Sequence, residues 1–145
     1  MTDDTTRGLA PLREQILSSS PQGFDRTLGL HYLEASADAI TAEFVVTPAL
    51  LQPWGITHGG VYCSVIESVA SLSGQLWLIE SGRTGHVVGV NNNTDFLRAV
   101  GDGRMTARST PVHRGRSQQL WLVEITAESG KTIARGQVRL QNIED

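Results

Sequence analysis

The setting of Glu67 in this sequence suggests that it could take part in chemistry. It lies within residues 59–79, where apolar residues recur with the period of an α-helix. No Lys or Arg stands three or four positions away, so Glu67 has no ion-pair partner on its own helix. The face of the predicted helix that carries Glu67 also carries small residues, namely Gly60, Ser64, Ser71 and Gly74. A solvated surface acid and a carboxylate in a pocket wall both fit this pattern.

The pair Gly59-Gly60 opens the same helix. The first N–H groups of a helix have no intrahelical partner and carry the positive end of its dipole, so they can stabilise an oxyanion. Glycine also lets a ligand approach the backbone closely. Glu67 lies about 12 Å further along at 1.5 Å per residue, too far for both groups to hold one carbonyl within one chain. Either they act together across two subunits, or the glycines only make a flexible loop-to-helix transition.

Other polar residues allow two interpretations each. His58 is a candidate base, but a helix cap or a packed imidazole is as plausible. Arg114 and Arg116 flank Gly115 in a predicted turn, which suits either phosphate binding or a solvated turn. Asparagines 91–93 lie in a predicted strand, although asparagine has a low propensity for strands. We expect them either to line a polar pocket or to face solvent.

Cysteine and histidine usage argues against two classes of site. Cys63 is the only cysteine, so an intrachain disulfide is excluded, and this usage is compatible with a reducing cytosol. A lone cysteine is more typically a small buried hydrophobic residue than a nucleophile. The four histidines, at positions 31, 58, 86 and 113, are too scattered for a local metal motif. We therefore expect neither a metal nor another cofactor.

Charge is distributed unevenly along the 145 residues. Residues 1–80 hold 3 Lys and Arg against 9 Asp and Glu, whereas residues 81–145 hold 9 against 6. Residues 81–145 therefore carry a weak net positive charge, which argues against duplex nucleic acid as a partner but is compatible with a small phosphorylated ligand. The sequence has neither a signal peptide nor an apolar run long enough to span a membrane, so we expect a cytoplasmic protein without a membrane partner.

The hydropathy pattern predicts one α+β domain over residues 1–145, with residues 1–20 as an N-terminal extension. A short helix is predicted at 11–18, strands at 28–36 and 39–46, and the long helix from 59 to 79. Four further strands are predicted at 86–98, 103–112, 117–128 and 131–141, the last two joined as a hairpin. Pro111 predicts that its strand bends or lies at a sheet edge. One helix cannot cover both faces of six strands, so we expect self-association.

Taken together, these residues resemble the hotdog-fold acyl-CoA thioesterases, in the group of the phenylacetate-pathway and 4-hydroxybenzoyl-CoA enzymes. The resemblance is carried by Gln52, the His58-Gly59-Gly60 run, Glu67 and Ser71 at their spacing, and it covers residues 25–141. It implies a six-stranded antiparallel sheet wrapped around the long central helix. It also implies a homodimer with active sites between subunits, further assembled into a homotetramer.

The resemblance also implies a role for each matching residue. Glu67 is similar to the catalytic carboxylate, acting as nucleophile or general base, and Gly59 N–H to the group that polarises the thioester carbonyl. Gln52 matches a glutamine that positions the carbonyl or the water, and Ser71 a residue that holds the water. Phenylacetate-type relatives have aspartate in place of Glu67, which favours the glutamate subgroup. The candidates for contact with substrate and the coenzyme A nucleotide are Gly60, Ser109, Thr110, Arg114, Arg116 and Arg139.

The predicted function is hydrolysis of an acyl- or aroyl-CoA to a free acid and coenzyme A. The main alternative is a non-catalytic acyl-CoA-binding module, which would bind the thioester without releasing thiol. A dehydratase or hydratase of enoyl thioesters would need a catalytic histidine and acid in other motifs, which this sequence does not contain.

Overall fold

The computed structural model describes the backbone of residues 9–145 and the side chains from residue 12 onwards. Residues 1–8, part of the predicted N-terminal extension, lie outside the described residues. The helices are α1 (Leu9–Ser18), α2 (Gly23–Leu28) and α3 (Gly59–Glu80), with a short 3-10 turn at Pro48–Leu50. The strands are β1 (His31–Ala35), β2 (Ile40–Val45), β3 (His86–Phe96), β4 (Arg104–Arg114), β5 (Gln118–Ala127) and β6 (Thr132–Ile143).

The six strands form one antiparallel sheet in the order β1-β2-β4-β5-β6-β3. Strands β4, β5 and β6 follow each other by simple antiparallel connections, and β3 lies outside β6 as an edge. Helix α3 packs against the sheet and contacts every strand from β2 to β6. The prediction of a six-stranded antiparallel sheet around one long helix is therefore confirmed.

The core lies between α3 and the sheet. Trp121, Val123 and Ile125 of β5 are fully buried, as their alternation predicted. The predicted apolar face of α3 is buried at Val61, Val65, Val69 and Leu76, whereas Leu72 and Ile79 are only half-buried. Although α3 has 22 residues, no helix in the described part of the chain is long and apolar enough to cross a membrane.

Gly74, predicted on the same small-residue face of α3 as Glu67, is a point where the sheet packs closely against the helix. The residue is buried, and a β-carbon there would overlap Leu140 Cδ1 of β6. The side-chain amide of Gln119 on β5 also donates to the Gly74 carbonyl at 3.2 Å. Glycine lets the second half of the helix approach the sheet closely at this point.

Residues 28–36 were predicted to form one strand, but β1 begins only at His31. The preceding residues form the short helix α2, which ends at Gly29 in the left-handed conformation with φ 71°. This helix is too short to show a hydrophobic period, so the sequence pattern did not separate it from the strand.

Pro111 lies in β4, which is an interior strand. Pairing between β2 and β4 ends at Arg108, so no strand pairs with Pro111 on that side. On the β5 side the register shifts between Pro111 and His113, as at a β-bulge. The strand is therefore irregular at Pro111, in the part of β4 that extends beyond its pairing with β2.

Candidate active site

The loop before α3 is held so that the helix starts at a fixed point. His58 is the N-cap, and its Nδ1 accepts a hydrogen bond from Gly60 N–H at 2.8 Å. His58 N–H donates to the Leu50 carbonyl at 2.9 Å, and Thr57 N–H donates to the Val100 carbonyl at 2.8 Å. Because Nδ1 accepts this hydrogen bond, Nε2 is the ring nitrogen left to donate. Of the alternatives for His58, the structure shows the helix cap, and this cap also occupies the N–H of Gly60.

Gly59 is the first residue of α3, and its N–H has no acceptor among the described residues. A β-carbon at this position would lie 2.5 Å from Cε2 of Phe96, at the end of β3. Gly59 lines a cavity of about 300 Å³ together with Gln52 and Phe96. The residue with the unpaired N–H thus lies at the wall of a space large enough for part of a ligand, which the Phe96 ring also lines.

Gln52 faces this cavity in a defined orientation. Its Oε1 accepts hydrogen bonds from the N–H of Trp54 at 2.5 Å and of Ile56 at 3.5 Å. These contacts direct the amide oxygen towards the loop and leave the Nε2 hydrogens as donors. Gln52 and Gly59 thus line one cavity, and each carries an N–H donor that no described residue occupies.

Two further residues of this cavity were missed by the sequence analysis. The Tyr62 hydroxyl is buried near the Thr57 side chain without a hydrogen bond of regular geometry among the described residues, and Arg98 also lines the cavity. Arg98 also lines a neighbouring cavity of about 480 Å³ that contains Lys131. Tyr62 looked like an ordinary apolar position of α3, and Arg98 follows its strand without any motif, so neither carried a sequence signal.

The carboxylate of Glu67 lies against β3. Asn92 Nδ2 donates to Glu67 Oε2 at 3.0 Å and also to the Cys63 carbonyl at 3.0 Å. Glu67 and Asn92 line a cavity of about 350 Å³ together with Phe24, Cys63, Ser64 and Ser68. Glu67 is therefore a half-buried carboxylate in a pocket wall, and the solvated-surface alternative does not hold for this structure.

Helix α2 forms the other side of the Glu67 cavity. Its Asp25 accepts hydrogen bonds from Ser68 of α3 at 2.6 Å and from the Tyr32 hydroxyl of β1 at 2.8 Å. Burial, reinforced by the Asp25 carboxylate, raises the pKa of Tyr32 well above its ordinary value, so the phenol remains a donor. These bonds fix α2 on α3 and hold Phe24 at the cavity.

Gly59 and Glu67 do not meet within one chain. Helix α3 is continuous between them, so the axial separation of about 12 Å stands. The two residues line different cavities that share no lining residue. Ser71, one turn beyond Glu67, is half-buried and lines neither cavity.

The predicted nucleotide contacts do not form a cluster at these cavities. Ser109 is 1% exposed, and its hydroxyl accepts from Ile40 N–H and contacts the Ser73 hydroxyl, so it is enclosed in the protein interior away from both cavities. Arg114 binds Asp38 at 2.9 Å and stands 5.7 Å from the Trp77 ring centre, which fixes the β1–β2 turn. The other candidates are exposed and line neither cavity: Thr110, Arg116 and Arg139.

A metal would need several ligands in one place. Among residues 9–145, no three or more side chains of His, Cys, Asp and Glu are gathered so that they could hold an ion. The only carboxylate that lines either cavity is that of Glu67.

Comparison with known families places the fold and the site in one context. The family model described as the thioesterase superfamily matches residues 55–134, which include Gly59, Glu67 and Asn92. The Mycobacterium tuberculosis protein Rv1847, named as an esterase, is 53% identical over 121 residues, or 83% of this chain and 86% of the relative. The proofreading thioesterase EntH of Klebsiella pneumoniae is 33% identical over 105 residues, or 72% of this chain and 74% of the relative.

Solved structures agree with these matches. The structure of Rv1847 aligns with a TM-score of 0.81 at 52% identity, covering 84% of this chain and 97% of that one. The thioesterase HI1161 of Haemophilus influenzae aligns with a TM-score of 0.78 at 35% identity, covering 94% of this chain and 90% of that one. The chain belongs to the thioesterase superfamily and is a hotdog-fold thioester hydrolase.

Proposed function

We propose that the protein hydrolyses an acyl- or aroyl-CoA thioester to a free acid and coenzyme A. One observation carries this proposal. A pocket carboxylate, Glu67, and a pair of carbonyl donors, Gly59 and Gln52, lie in separate cavities of one chain. Each cavity holds the part of a thioesterase site that the other lacks, so two subunits together would make it complete.

In the proposed site the thioester carbonyl oxygen accepts hydrogen bonds from Gly59 N–H and Gln52 Nε2 of one subunit. These donors stabilise the negative charge that develops on that oxygen in the tetrahedral intermediate. Glu67 of the other subunit either attacks the carbonyl carbon or removes a proton from a water molecule that attacks it. If Glu67 attacks, the C–S bond breaks to release the coenzyme A thiolate and leaves an acyl–Glu67 anhydride, which a water molecule then hydrolyses to the free acid and the free Glu67 carboxylate. If water attacks, the tetrahedral intermediate expels the coenzyme A thiolate directly and gives the free acid. In both routes the thiolate takes up a proton that comes from the water.

The edge of the sheet supplies a route to this dimer. Strand β3 is 11 residues long, and one side of it has no partner strand. Val88, Val90 and Phe96 on this strand are exposed. An exposed strand with apolar side chains tends to pair with another copy, and the same strand carries Asn92, which contacts Glu67. Pairing along β3 would therefore bring the sites of two subunits together.

Arg98 is a better candidate for the nucleotide end of the substrate than Arg114. The Arg98 side chain lines both the Gly59 cavity and the adjoining cavity that contains Lys131. Phosphate oxygens favour such positively charged, hydrogen-donating side chains. Arg114 is already engaged by Asp38 and two tryptophan rings. We propose that the coenzyme A phosphates lie near Arg98 and Lys131.

Replacing Glu67 by Gln tests the reaction. The purified protein should release free thiol from one or more members of a panel of short, long and aromatic acyl-CoAs. Glu67→Gln keeps the shape but removes the carboxylate, so kcat should fall about 10³-fold or more while substrate binding is retained. The measurement is thiol release under saturating substrate, with binding followed by calorimetry.

The same experiment separates the alternative function. A non-catalytic binding module would bind acyl-CoA tightly but release no thiol from any member of the panel. Normal turnover by Glu67→Gln would instead show that hydrolysis occurs without this carboxylate, and the proposed mechanism would be wrong.

A further inference from the structure

Strand β3 is irregular where it passes Glu67. Its pairing with β6 aligns Gly89 with Leu140 and Asn91 with Arg139, so Val90 is an extra residue in the strand. Gly89 and Asn92 both face Glu67, although residues three apart in a regular strand point to opposite faces. The bulge at Val90 therefore places both Gly89 and Asn92 against the Glu67 carboxylate.

Asn92 holds one oxygen of that carboxylate through a three-part network. Its Nδ2 donates to Glu67 Oε2 and to the Cys63 carbonyl, both at 3.0 Å. Its Oδ1 accepts from the Thr94 hydroxyl at 2.7 Å. A flipped amide would place Oδ1 against two acceptor oxygens, so the network allows only one orientation.

Gly89 shapes the space around the other oxygen. A β-carbon at this position would overlap Glu67 Oε1, so the carboxylate can take this position because residue 89 has no side chain. Oε1 accepts no hydrogen bond from the described residues. One carboxylate oxygen is thus held by an amide, and the other is left as a free acceptor beside the strand.

We infer that Asn92, oriented by Thr94 and accommodated by the Val90 bulge, is a positioning residue for Glu67. This inference rests on the proposed function of Glu67. A carboxylate on a flexible side chain attacks, or takes a proton, efficiently only when it is held near the reacting geometry, and a misplacement of about 1 Å costs about 100-fold in rate. Asn92 supplies that restraint from the neighbouring strand without itself touching the thioester.

Substitutions at Asn92 test this role through kcat. Asn92→Ala removes the donor, so kcat should fall about 10- to 100-fold while KM changes less than about 3-fold. Asn92→Asp should cost more than Asn92→Ala, because it places a second carboxylate where the donor stood. Cys63 is the only other titratable residue lining the cavity, and the neighbouring Asp25 is bound by Ser68 and Tyr32.

Asn93 provides the matched control. It is adjacent in sequence and exposed, and it lines a different cavity with Asp95 and Arg135. Asn93→Ala and Asn93→Asp make the same chemical changes away from Glu67, so both should keep kcat within about 2-fold of the wild type. Equal losses from Asn92→Asp and Asn93→Asp would overturn the inference.

Substitutions at Thr94 distinguish a positioning role of Asn92 from a purely structural one. Thr94→Val removes the hydroxyl that orients the Asn92 amide, so kcat should fall about 3- to 10-fold. Thr94→Ser restores a hydroxyl and should recover most of this loss. Unfolding temperatures of all variants identify any loss that follows from stability alone.

Failure of this inference differs from failure of the proposed function. If Glu67→Gln is inactive but Asn92→Ala retains full kcat, the inference is wrong and the proposed function stands. If the wild type hydrolyses no thioester, the crystal structure of Asn92→Ala still decides the contact. A Glu67 carboxylate in its original orientation there would overturn the inference, and a displaced or multiply oriented carboxylate would support it.

Discussion

Gly59 combines two properties that can be separated experimentally. Its N–H is free at the start of α3, and its lack of a side chain leaves room for the Phe96 ring. The backbone of His58, with φ −63° and ψ 131°, lies in the region that a residue before proline adopts. Proline is also well tolerated at the first position of a helix, where the N–H would be unpaired in any case. The N–H at position 59 can therefore be removed without breaking the helix.

Comparison of Gly59→Pro with Gly59→Ala tests whether this N–H polarises the thioester. Both substitutions add a β-carbon against Phe96, but only proline removes the donor. We expect kcat for Gly59→Pro to lie about 10²- to 10³-fold below that for Gly59→Ala, the cost of losing one oxyanion donor. The measurement is thiol release from the best acyl-CoA of the panel. Equal activity of the two variants would mean that the N–H plays no part.

At the residue scale, the sequence predicted what depends on spacing along α3 and missed what depends on β3. Glu67 and Gly59 could be related to each other because a helix has a fixed rise per residue. Asparagines 91–93 were recognised as unusual, but only Asn92 faces the carboxylate. Which of the three does so is set by the bulge at Val90, and a bulge leaves no periodic signal in a single sequence.

At the scale of elements, the buried side chain of Gln119 links α3 to the sheet. Gln119 of β5 is fully buried, and its Nε2 donates to the Gly74 carbonyl of α3 and to Asn142 Oδ1 of β6 at 2.7 Å. Its Oε1 accepts from Trp121 Nε1 at 2.8 Å. This side chain therefore satisfies polar groups on three elements at the point where Gly74 lets them approach each other.

Gln119→Leu should destabilise the protein because it leaves buried polar groups unpaired. The substitution keeps a similar side-chain volume but leaves the Trp121 N–H and the Asn142 Oδ1 without their partner. Each unpaired group should lower the free energy of unfolding by about 1–3 kcal/mol. Gln118→Leu is the matched control, since Gln118 is the neighbouring residue and is exposed, so its effect should stay within about 0.5 kcal/mol. Urea unfolding measures both. Equal stability of the two variants would contradict the role of Gln119.

The elements themselves were predictable to different degrees. Helix α3 and strand β5 have long, regular patterns, and both were predicted within a few residues of their observed bounds. Helix α2 was missed because six residues are too few for a period. Arg114 was predicted either to bind phosphate or to be solvated, because its actual partners, Asp38 and Trp77, are distant in sequence and join it only through the fold.

At the scale of the whole molecule, the separation of Gly59 and Glu67 leads to a prediction about assembly. The two residues lie on one unbroken helix and line different cavities. If they act on one thioester, each site draws Gly59 from one subunit and Glu67 from the other. A two-fold dimer then contains two equivalent sites, each made from both chains. We propose this homodimer as the functional unit, with a homotetramer as two such dimers.

Mixing two inactive variants tests this shared site directly. Glu67→Gln and Gly59→Pro homodimers should each be inactive, because every site lacks one group. In a mixed dimer, one site lacks both groups and the other is intact. Random exchange makes half of the dimers mixed, so activity should recover to about a quarter of the wild-type value. The measurement is thiol release after the variants are unfolded together and refolded, with dimers quantified by light scattering.

The control for this mixture is a pair of variants in the same half of the site. Glu67→Gln mixed with Asn92→Asp should give no recovery beyond the residual rates of the two parents, because Asn92 acts on the Glu67 of its own chain. Recovery by the first pair alone would locate Gly59 and Glu67 on opposite subunits of one site. No recovery by the first pair, despite mixed dimers in solution, would show that each chain forms its own site. The axial separation along α3 would then have to be bridged by the substrate itself.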